Sequence, residues 1–436
     1  MKLGKMTRRS FLKGTMLGAG GSLAFPCFVP GSALGAEEKV AANSRINLAC
    51  VGVGGMGTGN LRAFLNDERV HVTAICDVDD NHRKRALDIA KLKEDAGYRD
   101  FREVMARKDI DAVMVATPDH WHSLVTVAAC RAGKDVYCEK PLAASIGEGR
   151  FVSDLVKKEK RVLQCGTWRR SGIYVRMACE WIRNGYIGDL KEIEVGVPGR
   201  FAIRDGYTGL EAPVAVPKDF DYEMWLGPAP EAPYTPARCH FNFRWILDYS
   251  PGYITDWGAH FIDVAQWGNN SDDTAPVSVK ASEVKFRDKG IYNAPEEFRV
   301  EYQYGNGVRM TMISTTDGKK YGTKFIGTKG WIFSENTTLI TEPAELRRTK
   351  IKENEIHLYE SKNHHRNFID CVLSRKETAA PAEAAHRAAS CCHLGTIATL
   401  LKRELKFDPK TETFPGDEEA NKLVMRSMRE KWRLDA

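Results

Sequence analysis

Three groups of residues in this 436-residue chain have types and spacings that can carry chemistry. Gly52, Gly54 and Gly57 form G-x-G-x-x-G at the end of an apolar, strand-type run, Ile46 to Val53, and a helix pattern follows from Thr58 to Asn66. The first glycine permits a tight turn, and the second lets the backbone around Gly55 and Met56 approach a pyrophosphate. The third lets helix pack on strand. The next apolar run, Val70 to Cys76, ends at Asp77, which is 77 − 57 = 20 residues past the last glycine. A carboxylate at that distance accepts from both ribose hydroxyls, and it would repel a 2′-phosphate, so NAD is expected rather than NADP. Arg83, Lys84 and Arg85 read as the solvated face of the following helix. With strand, helix, strand and acid in register, the chain is expected to bind a dinucleotide.

The second group is Glu139-Lys140-Pro141, just past an apolar run ending at Cys138. A lysine at the carboxyl edge of a parallel sheet stands where ligands of such folds bind. Its amine can donate to a reacting oxygen and favour alkoxide character. The third group is Asp256 and His260, which share a face if Thr255–Gly268 is one helix with Thr255 near its N-cap. There they are either a base with its orienting carboxylate or a capping Asp and a core His, and the residues alone leave both open. Asp263 reads as a cap or salt-bridge residue. Arg169 and Arg170 lie where the chain leaves the nucleotide-binding half. Arg170 is expected in an ion pair, while Arg169 can pair or grip sugar hydroxyls. Tyr234, Arg238, Arg244 and Trp245 border a Pro-rich stretch and suit carbohydrate stacking or a protein interface.

Apolar runs at 46–53, 70–76, 112–116, 135–138 and 161–165 alternate with helix-type segments at 81–93, 101–107, 123–132 and 146–159. That alternation predicts a parallel sheet with helices on both faces. Beyond Gly166 longer strand candidates appear at 190–197, 277–286, 297–304 and 308–314, with a strand–turn–strand pattern over 325–331. These predict a largely antiparallel sheet. Residues 213–236 read as a long ordered loop, a kind that is usually functional. The expected organisation is a targeting segment at 1–35, a linker at 36–44, a Rossmann domain at 45–165 and an α/β domain at 166–436, whose helices at about 363–403 pack back on the body.

Thr7-Arg8-Arg9-Ser10-Phe11-Leu12-Lys13 reads as a twin-arginine export signal, with small residues at Ala33 and Gly35 before a cleavage point. The apolar run behind it is shorter than the roughly 20 residues of a membrane span. Export in the folded state to the periplasm is expected, with no membrane span in the mature chain. Residues 1–35 carry five basic residues and no acid, so the formal charge of +6 falls to +6 − 5 = +1 after cleavage. Nothing in that balance calls for nucleic acid as a partner. The eleven cysteines lack metal-ligand spacing, so no metal site and no disulfide framework are expected.

Taken in order, Gly52-x-Gly54-x-x-Gly57, Cys76-Asp77-Val78, Ala116-Thr117-Pro118-Asp119-His120-Trp121-His122, Glu139-Lys140-Pro141, Trp225-Leu226-Gly227-Pro228, Thr255–Asp263 and Gly327-Thr328-Lys329-Gly330 resemble the glucose–fructose oxidoreductase/inositol dehydrogenase/MocA family. The resemblance implies a Rossmann domain followed by an α/β domain with an open sheet, and a homodimer or homotetramer formed through that sheet. It implies a catalytic set at Lys140, Asp256 and His260. It also places the loop that carries Thr117, Pro118, His120 and His122 beside the nicotinamide and ribose, where His122 can equally cap the 123–132 helix. Glu139 is expected at the cofactor, and Trp121, Arg169, Tyr234 and Arg244, by their side-chain types, toward a sugar or polyol. Free nicotinamide nucleotides are scarce outside the cytoplasm, so an exported member is expected to keep its NAD bound through turnover. It would oxidise one sugar and reduce another, or oxidise a sugar transiently and release an aglycone. A hydrolytic branch of the family often lacks the lysine of the triplet; Lys140 is present here. The reading from a different class is a non-catalytic carbohydrate-binding protein on the same fold.

Overall fold

The computed structural model describes residues 45–435. The twin-arginine segment, its cleavage point and the linker at 36–44 lie outside the described residues. From Ile46 the chain alternates strand and helix: β1 (Ile46–Val51), α1 (Gly55–Leu65), β2 (Val70–Cys76), α2 (Asp80–Ala90), β3 (Gly97–Tyr98), α3 (Phe101–Ala106), β4 (Ala112–Val115), α4 (His122–Arg131), β5 (Asp135–Cys138), α5 (Ile146–Lys158) and β6 (Leu163–Cys165). The strands form one parallel sheet in the order β3-β2-β1-β4-β5-β6. Their continuous apolar stretches are those of strands buried on both faces; β1, β4 and β5 have hardly an exposed residue. The strand order reverses between β1 and β4, so a crevice opens at their carboxyl ends. Helix α1 begins at Gly55, earlier than the periodicity predicts, because the glycine motif itself forms its first turn.

The second half runs α6 (Ile173–Arg183), β7 (Leu190–Pro198), α7 (Tyr222–Leu226), α8 (Tyr253–Asp256), α9 (Gly258–Gly268), β8 (Ser278–Lys285), β9 (Glu297–Gln303), β10 (Arg309–Thr315), β11 (Gly322–Gly327), β12 (Trp331–Glu335), β13 (Thr338–Glu342), α10 (His364–Ser374), α11 (Ala382–Leu401) and β14 (Leu405–Lys406). Its strands form an eight-stranded sheet ordered β13-β12-β11-β7-β10-β9-β8-β14, antiparallel except where β7 runs parallel to β10. Burial alternates along β9, so one face lies on the core and the other faces outward. Helices α9 and α11 pack on the inner face. Helix α11 is buried along nearly its whole length, as its mostly apolar and small side chains require. It also packs on α5 of the first half.

The helix expected over Thr255–Gly268 is two helices, broken at Trp257. Thr255 does not cap it: its hydroxyl donates backward to the carbonyl of Gly252. The turn into α8 is made instead by Gly252, at φ +69°. The break matters because Asp256 ends one helix and His260 lies in the first turn of the next.

Candidate active site

The glycine turn is built by contact. A Cβ on Gly52, which sits at φ +79°, would lie 2.5 Å from the amide nitrogen of Thr117, and one on Gly57 would lie 1.9 Å from the carbonyl oxygen of Gly52. The ends of β1 and β4 and the start of α1 can therefore meet only through glycine. Gly54, Gly55 and Met56 border a cavity of about 870 Å³ that runs along the carboxyl edge of the sheet. Space is open above Gly55, and Met56 is 52 % exposed at the mouth. Asp77 is fixed by two backbone amides, Val53 N–H at 2.7 Å and Asp79 N–H at 2.9 Å, one on each carboxylate oxygen. Each oxygen retains a lone pair, and Asp77 borders the cavity. The cradle fits a dinucleotide: a glycine turn at a helix N-terminus, a fixed carboxylate on the neighbouring strand, and a buried Thr117 hydroxyl unpartnered among the described residues.

At the other end of the cavity, Lys140 follows β5 and its peptide bond to Pro141 is cis. Its ammonium donates to Oδ1 of Asp256 at 2.7 Å and to the carbonyl of Asp256. Arg244 Nε reaches the same Oδ1 at 3.2 Å. Burial alone would raise the Asp256 carboxyl, but Lys140 and Arg244 hold it well below the usual carboxylate range. His260 is held well below the usual imidazole range by burial first and then by the Lys140 and Arg169 charges. It is therefore neutral at pH 7. Its Nδ1 is buried and unpartnered among the described residues, while its ring packs on Trp168. A neutral imidazole and a fixed ammonium bordering one cavity can take a proton from a hydroxyl and steady the resulting charge. Asp256 serves the lysine here: its Oδ1 goes to Lys140 and Arg244, a partnership that neither the orienting nor the capping alternative contained.

Glu139 is buried and accepts from Asn60 Nδ2 at 2.9 Å, and it backs the cavity with its carboxyl raised by burial. Arg169 borders the cavity and pairs with Glu335, its guanidinium lying 4.4 Å from the Phe261 ring centre. Arg170 is in the expected ion pair, held between Asp263 and Asp272.

Two family models account for nearly all of the described chain. Residues 46–167 match "Oxidoreductase family, NAD-binding Rossmann fold", and residues 171–434 match "Oxidoreductase family, C-terminal alpha/beta domain". The chain belongs to the Gfo/Idh/MocA oxidoreductase family. Among curated relatives it is 35% identical over 122 residues to an inositol 2-dehydrogenase of Salmonella paratyphi B, a match spanning 28% of this chain and 36% of that one. It is 30% identical over 206 residues to a glycosyl hydrolase family 109 protein of Shewanella sp. strain ANA-3, spanning 42% of this chain and 44% of that one. Both matches thus cover less than half the length of the relatives. In fold it resembles the aldose-aldose oxidoreductase of Caulobacter crescentus complexed with glycerol, with TM-score 0.61 and 18% identity over 83% of this chain and all of that one.

Within this Gfo/Idh/MocA chain several expected contacts fall elsewhere. His120 is fully buried away from the cavity, where its Nε2 meets the carbonyl of Trp225 at 2.9 Å and burial pushes it down to about 3. Trp121 lends one edge to the cavity wall, but its N–H donates to the same carbonyl and its ring packs on Trp432. Tyr234 packs in a cluster with Phe220 and Tyr222 and does not border the cavity. His120 and Trp121 join the two halves through the Trp225 carbonyl, while Tyr234 belongs to the core of the second half. His122 borders the cavity while its two ring nitrogens meet the carbonyls of Pro141 and Thr117, at 2.6 and 2.9 Å. It ties the β4 loop to the Lys140 turn.

The cavity is also bordered by Asp79, His82, Arg99, Phe220 and His240, and by Phe241 under the Arg244 guanidinium, none of which the sequence singled out. Only their proximity to Asp77 in sequence could have flagged Asp79 and His82; Phe220 and His240 arrive from far along the chain. Asp79, His82 and His240 offer ligand-type atoms within 4.8 Å of one another. One oxygen of that carboxylate already caps α2 through the amides of Asn81 and His82.

Proposed function

We propose that this protein is an exported, NAD-dependent oxidoreductase that moves a hydride between a retained nicotinamide cofactor and a hydroxyl-bearing carbon of a sugar, polyol or glycoside. The observation that carries the reading is that His260, with its unpartnered Nδ1, borders the same cavity as a Lys140 ammonium locked by Asp256. Glycines 52–57, Asp77 and Thr117 would hold the dinucleotide, which supplies a hydride acceptor. As the C–H hydride leaves the substrate carbon, the O–H proton goes to His260, and Lys140 donates to the oxygen while it carries negative charge. Reversal returns the proton and hydride to a second carbonyl. Arg169 and Arg244 stand where hydroxyls of a carbohydrate would meet donors. The Arg8-Arg9 signal supports export with cofactor already bound, and NAD is favoured by the carboxylate of Asp77.

A second reading, net hydrolysis by transient oxidation of the sugar, is favoured by the identity with the family 109 hydrolase. One experiment separates them. Protein recovered from the periplasm without added nucleotide is denatured and the released dinucleotide identified by mass spectrometry; native protein is then incubated with paired free sugars and aryl glycosides. Stoichiometric NAD with an oxidised and a reduced sugar supports the oxidoreductase, and NAD with a released aglycone supports hydrolysis. Recovery of an empty protein that turns over neither set would leave only a binding protein.

A further inference from the structure

The cavity is crossed at its Asp77 end by a segment foreign to the nucleotide-binding sheet. Between β7 and α8 the chain returns to the carboxyl end of β2 and pairs with it. Asp80 N–H donates to the carbonyl of Asp219 and Asp221 N–H to that of Val78, both at 2.9 Å, bracketing an antiparallel bridge between Asp79 and Phe220. Asn81 adds a side-chain bond to Asp219 at 2.6 Å. Further along, His240 reaches within 3.8 Å of Asp79, and its ring centre lies 5.2 Å from that of His82 and 5.5 Å from that of Phe220. The segment is braced from behind: Arg429 donates to the carbonyl of Gly227 at 2.7 Å and pairs with Glu223.

We propose that residues 217–240 are a strap that retains the cofactor by closing over its adenosine half. The inference rests on the reading that the cleft takes a dinucleotide with its ribose at Asp77. Phe220 and His240 then form the outer wall of the adenosine site and Gly54, Asp77 and His82 the inner one. The two walls are joined by main-chain hydrogen bonds. Exit of the adenosine half requires that bridge to open, so release is slow even where the Rossmann contacts are ordinary. A chain that must keep its NAD where none is available needs such a device.

The test uses the full chain loaded with NAD and reads dinucleotide content by mass spectrometry at intervals during dialysis. Asp80→Pro removes the bridging N–H at the first residue of α2, where proline is accepted and the preceding Asp79 is already extended. Asp80→Ala is its control, because it keeps the N–H but loses the carboxylate that pairs with Arg83 and Arg99. Loss of one such hydrogen bond is expected to speed release roughly fivefold in the proline variant relative to the alanine one. His240→Asn, which suits the left-handed backbone there at φ +53°, removes the outer ring without touching the bridge and is also expected to speed release. Equal release from wild type, Asp80→Pro and His240→Asn, with unchanged circular dichroism, overturns the strap. A wild-type chain that never binds dinucleotide removes the underlying reading, and the strap with it.

Discussion

Replacing Lys140 by alanine tests the site most directly. The ammonium donates to Oδ1 and to the carbonyl of Asp256, and Arg244 stays on that carboxylate at 3.2 Å. Asp256 is therefore not orphaned, and the stability loss should be that of a charged hydrogen bond, about 1.5–3 kcal/mol, rather than the roughly 3–5 kcal/mol of an abandoned buried charge. The rate should suffer more. A donor aimed at a developing oxyanion contributes about 10²–10³ in turnover. A second signature follows from His260, which burial, Lys140 and Arg169 together keep low. Without Lys140 its titration moves back up toward the usual imidazole range. The neutral ring is the base, so the acid limb of the pH–rate profile should shift to higher pH in the variant. The assay is single-turnover reduction of prebound NAD by a panel of pyranosides, followed by nicotinamide absorbance. A variant that keeps its dinucleotide and matches wild type in rate and acid limb refutes the assignment.

His260→Ala should lower single-turnover reduction by about 10²–10⁴ while dinucleotide content measured by mass spectrometry stays at the wild-type level. Asp263→Asn breaks a fully buried pair with Arg170; because Asp272 remains on the guanidinium, the loss should sit near the low end of the roughly 3–5 kcal/mol range, read from urea midpoints. Burial pushes the Glu412 carboxyl up, but His386 and Arg150 hold it down to about 2. A depressed carboxyl stabilises the fold above its unfolded pKa and loses that contribution as pH falls to the folded one. Urea midpoints should thus drop between about pH 4.3 and pH 2, and Glu412→Gln should flatten that drop.

The first half of the fold was legible because its signals are local. Strand runs ending at Cys76 and Cys138 and the glycine turn each declare themselves within a few residues, and Val70–Cys76 and Asp135–Cys138 have the bounds read from the sequence. Lys140 and Asp256, 116 positions apart, do meet, although only the resemblance joined them beforehand. What escaped the sequence depends on distant pairing. The span read as one helix over Thr255–Gly268 is two, broken at Trp257, and β13 is a strand because β12 lies beside it. The strap bridge links Asp79 to Phe220 across the molecule. Tyr234 and His120 look like ligand binders by type and become packing residues by position.

The covering of the nucleotide-binding sheet has a consequence for the way the molecule divides. Phe368, Ile369, Cys371 and Val372 lie in the same hydrophobic cluster as Ile46, Leu48 and Phe64, while Ala382, Ala385, Trp432 and Leu434 belong with Val113, Val136 and Leu163. Both faces of that sheet are finished by residues some two hundred positions or more downstream of its last strand. The two segments that the family models delimit are therefore not two modules in the folding sense. A fragment ending near residue 165 would expose apolar surface on both sides and should aggregate, and a chimera that exchanges the nucleotide-binding half must bring the matching 364–385 and 432–434 contacts with it. Melting should accordingly be a single cooperative event in which neither half outlives the other.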